Sequence, residues 1–389
     1  MENFTYRLPT EIVFGHDQIQ SLKALLLKHR VKKLLLVYGK KSVKENGIYD
    51  IVLDTCKSLA IAVYEESGVE PNPDIESVIS GQTTLKANDI DFVLAAGGGS
   101  VLDAAKAMAF SYYLKTADAV WDVFMRQGGF DKALPIGTIL TLAATGSETN
   151  GNTVISNRAL NDKRSVASPL LVPQFSIIDP TYTLKVNKHH TIAGSIDIMM
   201  HVFEQYFSPT QHTETSDYMS FGVLKSVIEN TRKILNGDDG YHVRANLSWA
   251  STIALSWILQ QGKKGDWASH RLSYPITMDY DITHGYALAI IQPAWMEVAL
   301  KANPEAMGPR LNALGDNVFN VKGADQTIQA IKTLFNEFGA PTTFKQAGVD
   351  LNDQAASKMA AQTLKLGPIG SIFKIETKEA YTIFKTATA

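Results

Sequence analysis

The sequence predicts an α/β domain built on a parallel sheet, followed by an all-helical domain. Three observations carry this reading: short aliphatic runs alternate with helix-period segments up to about residue 185, three consecutive glycines join one such run to a helix, and beyond about residue 187 the apolar residues recur at helical spacing. In chain order, Lys33 to Tyr38 (KLLLVY) reads as a buried strand, Ser42 to Leu59 as a helix, Ile61 to Tyr64 as a strand, Asp74 to Leu85 as a helix and Asp91 to Ala96 as a third strand. Strand, helix, strand with short loops implies parallel pairing. Further strands are expected at Pro135 to Leu142 and at Phe175 to Ile178, the latter closed by the Asp179-Pro180 turn. Helices are expected at Ile192 to Phe207, Asp217 to Leu235, Val243 to Leu259, Ala287 to Ala302, Gln326 to Phe338 and Asp353 to Lys365. The expected division is 1–185 and 186–389, and a cleft between two such domains is the usual place for a ligand.

Composition bounds the function. At about 150 residues per domain, 389 residues fit two domains. A 45% share of hydrophobic residues excludes a disordered chain, and 37 basic against 39 acidic residues, a formal charge of −2, leave no basic field for nucleic acid. Cys56 is the single cysteine, so neither an internal disulfide nor a thiolate zinc site is open to the chain. The first residues lack a basic segment followed by an apolar one, and the longest uncharged stretches, such as Ala245 to Gly262, are too polar to span a membrane. The expectation is a soluble cytoplasmic protein with neither membrane nor nucleic acid as partner.

Gly97-Gly98-Gly99-Ser100 follows the third strand directly and opens the amphipathic segment Val101 to Phe110, which carries Asp103 and Lys106. Glycines let a diphosphate approach the backbone, and a helix start favours negative charge. A tight strand-to-helix turn that binds nothing would look similar, although three glycines exceed what a turn requires. In Thr138 to Glu148 (TILTLAATGSE), Thr138, Thr141, Thr145 and Ser147 offer hydroxyls to a ribose or carboxamide, or equally to helix caps.

Asp197 and His201 lie four apart in a helical segment and so project from one face. With His270 and His284 they make one carboxylate and three imidazoles, a set suited to Zn(II), Fe(II) or a neighbouring divalent ion. Hydrogen-bonded core residues would give the same pattern. His189, His190, His212 and His242 stand in polar surroundings and read as surface or cap residues.

Together these segments resemble the iron-containing (group III) alcohol dehydrogenase family, and within it the butanol-dehydrogenase-like, NADPH-dependent aldehyde reductase branch. The likeness runs through Leu8-Pro9-Thr10-Glu11-Ile12-Val13-Phe14-Gly15, Tyr38-Gly39 with Ser42 to Asp50 (SVKENGIYD), Val69-Glu70-Pro71-Asn72-Pro73, Gly97 to Asp103, Thr145-Gly146-Ser147-Glu148 and the Asp197, His201, His270, His284 set. It implies a Rossmann-like dinucleotide-binding domain, a helical catalytic domain of the dehydroquinate synthase-like architecture, and a homodimer. It implies a metal on those four residues, Gly98, Gly99 and Ser100 at the cofactor diphosphate, and Asn72, Thr141, Leu142, Thr145 and Lys163 at other cofactor positions. Gly97, Asp103, Thr138, Gly39 and Ser42 complete the expected cofactor set.

Two departures stand out. Family members usually carry a histidine four residues after the third ligand; here that position is Tyr274, whose phenol is the candidate proton donor. The second is Lys40-Lys41, where close relatives of the NADPH branch tend to have a glycine-rich stretch. NAD-preferring relatives place an acidic residue just after this first strand, whereas Gly39-Lys40-Lys41-Ser42 has none, so charge favours NADP(H) over NAD(H). The expected function is hydride transfer between NADP(H) and a small aldehyde or primary alcohol. Its alternatives are an NAD-dependent butanol or polyol (glycerol-type) dehydrogenase, a dehydroquinate synthase-type lyase, and a non-catalytic nucleotide-binding protein. Trp267 and Phe124 are candidate pocket walls by chain position.

Overall fold

The computed structural model describes residues 1–388. Its strands are β1 (Glu11–Phe14), β2 (Lys33–Tyr38), β3 (Ala62–Glu66), β4 (Phe92–Gly97), β5 (Ile136–Leu140), β6 (Asn152–Asn157), β7 (Asp162–Ala167) and β8 (Phe175–Ile178). Interleaved with them are α1 (Leu22–Lys28), α2 (Ser42–Glu45), α3 (Ile48–Ser58), α4 (Ile75–Asn88), α5 (Gly99–Ser111) and α6 (Asp118–Phe124). There follow α7 (Lys188–Tyr206), α8 (Glu214–Leu235), α9 (Tyr241–Ala254), α10 (Ala268–Tyr280), α11 (His284–Ala302), α12 (Pro304–Leu314), α13 (Ala324–Glu337), α14 (Asp353–Thr363) and α15 (Thr377–Thr386). No helix among the described residues is long and apolar enough to cross a membrane.

The chain forms two compact units, one of Arg7–Val186 with Gly240–Thr252, the other of Met1–Tyr6 and Asn187–Asp239 with the chain from Ile253 onward. The expected division at 185 differs from this in two places: Met1–Tyr6 belongs to the helical unit, and residues 240–252 belong to the α/β unit. Residues 240–252 join the α/β unit because Trp249 packs edge-on against Phe14 at 5.7 Å, Arg244 donates to the Val186 carbonyl at 3.2 Å, and the Thr252 hydroxyl donates to Glu148 Oε1 at 2.7 Å.

In the α/β unit six strands pair in parallel in the order β1-β8-β5-β4-β2-β3, while β6 and β7 form a separate antiparallel hairpin. The parallel sheet is covered on both faces, which is why its strands are continuous apolar runs rather than alternating ones. Leu35, Val37, Val93 and Ala95 pack with Val78 and Leu85 of α4 and with Leu102, Met108 and Phe110 of α5. Leu34, Leu36, Phe92, Leu94, Phe175 and Ile177 pack on the other face with Leu22, Leu25 and Leu26 of α1 and with Val52 and Cys56 of α3. The expected helix Ser42 to Leu59 is two helices, because Gly47 takes the left-handed conformation at φ 72° and breaks it.

Cys56 is fully buried in this second core, and burial pushes its thiol up to about 11. The native protein should therefore resist iodoacetamide at neutral pH while the denatured chain is alkylated within minutes. Mass spectrometry of intact protein checks this; rapid modification of the folded enzyme would contradict it.

In the helical unit α7 is the central element, buried from Thr191 to Tyr206. Helix α11, buried from Ala287 to Met296, crosses it so closely that a side chain at Gly285 would overlap the Ala193 backbone. Glycine at that crossing sets the spacing of the two helices that begin and carry the polar cluster described next.

Candidate functional site

Helix α7 presents Asp197 and His201 one turn apart, α10 brings His270 in its first turn, and α11 begins with His284. The three imidazoles converge on one carboxylate oxygen: His201 Nε2 lies 3.6 Å, His270 Nε2 3.6 Å and His284 Nε2 3.7 Å from Asp197 Oδ1. The rings of His201 and His270 stack at 4.9 Å. All four belong to the helical unit, and only the His284 side chain is more than slightly exposed, at 27%.

The residues fit a divalent cation. Donors at about 2.0–2.2 Å from a tetrahedral ion stand about 3.3–3.6 Å from one another; the imidazole distances to Asp197 Oδ1 are close to this, and the donor atoms of Asp197, His201 and His270 all lie within 4.8 Å of one another. Asp197 Oδ1 and His270 Nε2 are buried without a hydrogen-bond partner, a cost that a bound cation would remove. Burial alone would push the Asp197 carboxyl up, yet His201, with His284 and His270 beside it, holds it well below the usual carboxylate range. Burial likewise opposes charge on His270, but Asp197 and Glu204 outweigh it and raise the imidazole to about 9. Carboxylate and imidazoles thus stabilise one another's charged forms around one point.

Sequence reasoning did not single out Glu204 or Asp266. Glu204 Oε1 accepts from the His270 backbone N–H at 2.8 Å and meets His270 Nδ1 at 3.1 Å. Asp266 accepts from the amides of Ala268, Ser371 and Ile372 at 3.2, 2.7 and 2.9 Å, and burial, then Glu204, raise its carboxyl to about 7. The available signal for Glu204 was its place at i, i+4, i+7 with Asp197 and His201. Tyr274 sits one turn past His270 on α10, with the Arg271 guanidinium 6.0 Å from its ring. Trp267 stands 5.7 Å from His270, held in the left-handed region at φ 62° while its Nε1–H donates to Gln260. Phe124 is not a wall: it is 1% exposed and packs on Phe110 and Trp121 in the α/β core.

The α/β unit gathers most of the expected nucleotide residues at the carboxyl end of its sheet. The chain leaves β2 toward β3 at one edge and returns to β4 on the other side of β2, so the strand order reverses between β2 and β4. Such a reversal opens a crevice beyond the strand ends. Tyr38 is in register with Ala96, which places Gly39 beside Gly97 to Ser100 there. The Gly68 and Val69 amides donate to the Gly39 and Tyr38 carbonyls, and the Thr141 amide to the Gly97 carbonyl at 3.0 Å. Asn72, at φ 54°, accepts from Lys163 Nζ at 2.7 Å. Helix α5 starts at Gly99 with no side-chain cap, leaving its dipole to face that end of the sheet.

The glycines also have an internal reason. A Cβ at Gly97 would lie 2.6 Å from Val101 Cγ2, one at Gly98 would press on Leu142 at 3.2 Å, and one at Gly99 would overlap the Thr145 side chain. Asp103 and Thr138 likewise have protein partners. The Asp103 carboxylate accepts from Ser147 Oγ at 2.8 Å and the Val154 amide at 3.0 Å; Thr138, fully buried, donates to Ser176 Oγ at 2.7 Å. Ser42 opens the single turn of α2, and the Lys40 ammonium pairs with Glu70 at 2.7 Å.

Comparison with known proteins shows the family to which the chain belongs. The model of iron-containing alcohol dehydrogenase matches residues 9–180, and that of the C-terminal part of the Fe-containing alcohol dehydrogenase family matches residues 191–388. The chain is 38% identical over 395 residues to a probable NADH-dependent butanol dehydrogenase of Bacillus subtilis, covering all of both. It is 34% identical over 358 residues, 90% of each, to the NADPH-dependent aldehyde reductase YqhD of Escherichia coli. The crystal structure of NADH-dependent butanol dehydrogenase A from Thermotoga maritima superposes with a TM-score of 0.94 at 34% identity, over 100% of this chain and 99% of that one. A metal-ready cluster on a helical unit, a switch-point crevice on a parallel sheet, and likeness over the whole length together place this chain: it is an oxidoreductase of the iron-containing alcohol dehydrogenase family.

Proposed function

We propose that the protein reduces small aldehydes to primary alcohols with a nicotinamide dinucleotide, and prefers NADP(H). The observation that carries the reductase reading is the convergence of three imidazole nitrogens on Asp197 Oδ1. Asp197, His201, His270 and His284 would hold Fe(II) or Zn(II), which when bound supplies Lewis-acid polarisation of the carbonyl oxygen for hydride addition from the nicotinamide. Burial of Asp197 and His201 excludes water from most of the cluster, so the Asp197 charge acts in a low-dielectric setting. The proton for the product alkoxide comes from solvent or from the Tyr274 hydroxyl. Gly98, Gly99 and Ser100 take the diphosphate at the α5 start, with Gly39, Ser42, Asn72, Thr141, Leu142, Thr145 and Lys163 around it. Family likeness supports a cytoplasmic homodimer.

Lys41, with no carboxylate in Gly39 to Ser42, supports the choice of NADP(H). A charge-assisted contact to a 2′-phosphate would give NADPH about a 10- to 100-fold advantage in kcat/KM. The second reading, NADH, is favoured by two observations: several relatives at 37–38% identity are named NADH-dependent, and Glu70 already occupies the Lys40 ammonium. The test is absorbance at 340 nm with butanal, NADPH against NADH, on protein purified without chelator and supplied in turn with Zn(II) and Fe(II). Faster NADH oxidation reverses the cofactor choice and keeps the enzyme class. Oxidation of neither in any metal form overturns the reductase reading for this aldehyde.

A further inference from the structure

We propose that Glu204 is a positioning residue that fixes the tautomer and the orientation of His270 for metal binding. The proposal rests on the metal reading above and adds a residue that acts on the site without being a ligand.

Asp197, His201 and Glu204 follow one another at i, i+4 and i+7 on α7. The first two face the point where the imidazoles converge, and Glu204, 3% exposed, reaches past it to the start of α10. There one carboxylate oxygen, Oε1, serves two groups of the same residue. It accepts from the His270 backbone N–H at 2.8 Å and lies 3.1 Å from His270 Nδ1. A carboxylate has no proton to offer at that distance, so Nδ1 must be the donor. With Nδ1–H held by Glu204, the nitrogen that yields its proton to a binding cation is Nε2, which stands 3.6 Å from Asp197 Oδ1 and has no hydrogen-bond partner.

The backbone contact adds a second constraint. His270 is the third residue of α10, and its amide is one of those a helix start leaves without an intrahelical acceptor. Glu204 accepts it from another helix, while Asp266 accepts the Ala268 amide two residues earlier. The Glu204 carbonyl also accepts the Asp266 amide at 2.7 Å. Main chain and ring of His270 are thereby tied to the helix that supplies Asp197 and His201. A ring held at both its backbone and its Nδ1 retains little freedom to rotate away, which lowers the ordering cost of binding a cation.

The test uses the full-length protein and Co(II) as probe, with affinity read by competition against a chromophoric chelator. Removing such a partner costs about 10- to 100-fold in metal affinity, so Glu204→Ala should bind Co(II) that much more weakly. Glu204→Gln keeps an acceptor oxygen of the same reach and should recover most of the loss. Affinity in Glu204→Ala equal to wild type, or a loss in Glu204→Gln as large as in Glu204→Ala, overturns the role in positioning. A measurement on unmodified protein guards against a variant that does not fold: in the Zn(II)-loaded enzyme, long-range proton–nitrogen NMR of labelled histidines should show His270 with its proton on Nδ1. A proton on Nε2 overturns the proposal. Failure of wild type to take up one equivalent of Co(II) would instead overturn the metal reading itself.

Discussion

Asp197→Ala is expected to strip the protein of metal and abolish aldehyde reduction together. Three imidazole nitrogens lie 3.6 to 3.7 Å from a single oxygen of this carboxylate, the negative donor they share among the described residues. Without it, a cation would face three neutral imidazoles and lose the charge that pays most of its desolvation. Removing even an outer partner of a ligand costs about 10- to 100-fold, so loss of the shared carboxylate should exceed about 100-fold in Co(II) or Zn(II) affinity. Turnover should fall by a comparable or larger factor, since polarisation of the carbonyl goes with the ion. Metal analysis beside the 340 nm assay checks both. A variant with full metal content, or a metal-free one with normal rate, would end the assignment of this cluster.

Lys106→Met should be the most damaging single change in the α/β unit outside its apolar core. The Lys106 ammonium is fully buried and donates to the Ser147 carbonyl at 2.6 Å, Ser147 Oγ at 2.7 Å, the Asn150 carbonyl at 2.8 Å and the Asn152 carbonyl at 2.9 Å. Burial drives its pKa down to about 8, while Asp103 and then Glu148 work to keep it charged. Methionine fills similar space but leaves that ring of acceptors buried without a donor and Asp103 without its countercharge. Breaking such a buried arrangement costs about 3–5 kcal/mol, or a fall of about 10 °C in the melting of this unit. Scanning calorimetry reads it directly; an unchanged melting temperature would mean that water replaces the ammonium. Because Ser147, which Lys106 holds, donates its amide N–H to Thr145 Oγ1 at 3.3 Å, and the Thr145 side chain lies against Gly99, the same variant should also weaken nucleotide binding.

Much of this was legible in the residues. KLLLVY and DFVLAA could only be strands of a doubly covered sheet, and the triple glycine marked the β4–α5 junction because Val101, Leu142 and Thr145 crowd it. The β6–β7 hairpin was not. Its strands, NTVISN and DKRSVA, lack an apolar run and owe their pairing to tertiary contacts such as the Asp103 bond to the Val154 amide. Helix α10 was hidden by Pro275 and by a polar first turn whose amides are satisfied from Glu204 and Asp266. Of the polar cluster, the pair Asp197 and His201 was readable from spacing on one helix, whereas Glu204 acquires meaning only once His270, 66 residues away, is seen against it.

The path of the chain bears on how the protein can be dissected. It contributes residues to the α/β unit twice, up to Val186 and again from Gly240 to Thr252. A recombinant fragment ending at residue 186 would lack the hydroxyl of Thr252 over Glu148 and the indole of Trp249 over Phe14. It would display a buried acid and an apolar edge to solvent, the profile of an insoluble product. A nucleotide-binding module taken from this enzyme has to include that later helix, grafted back through a designed linker.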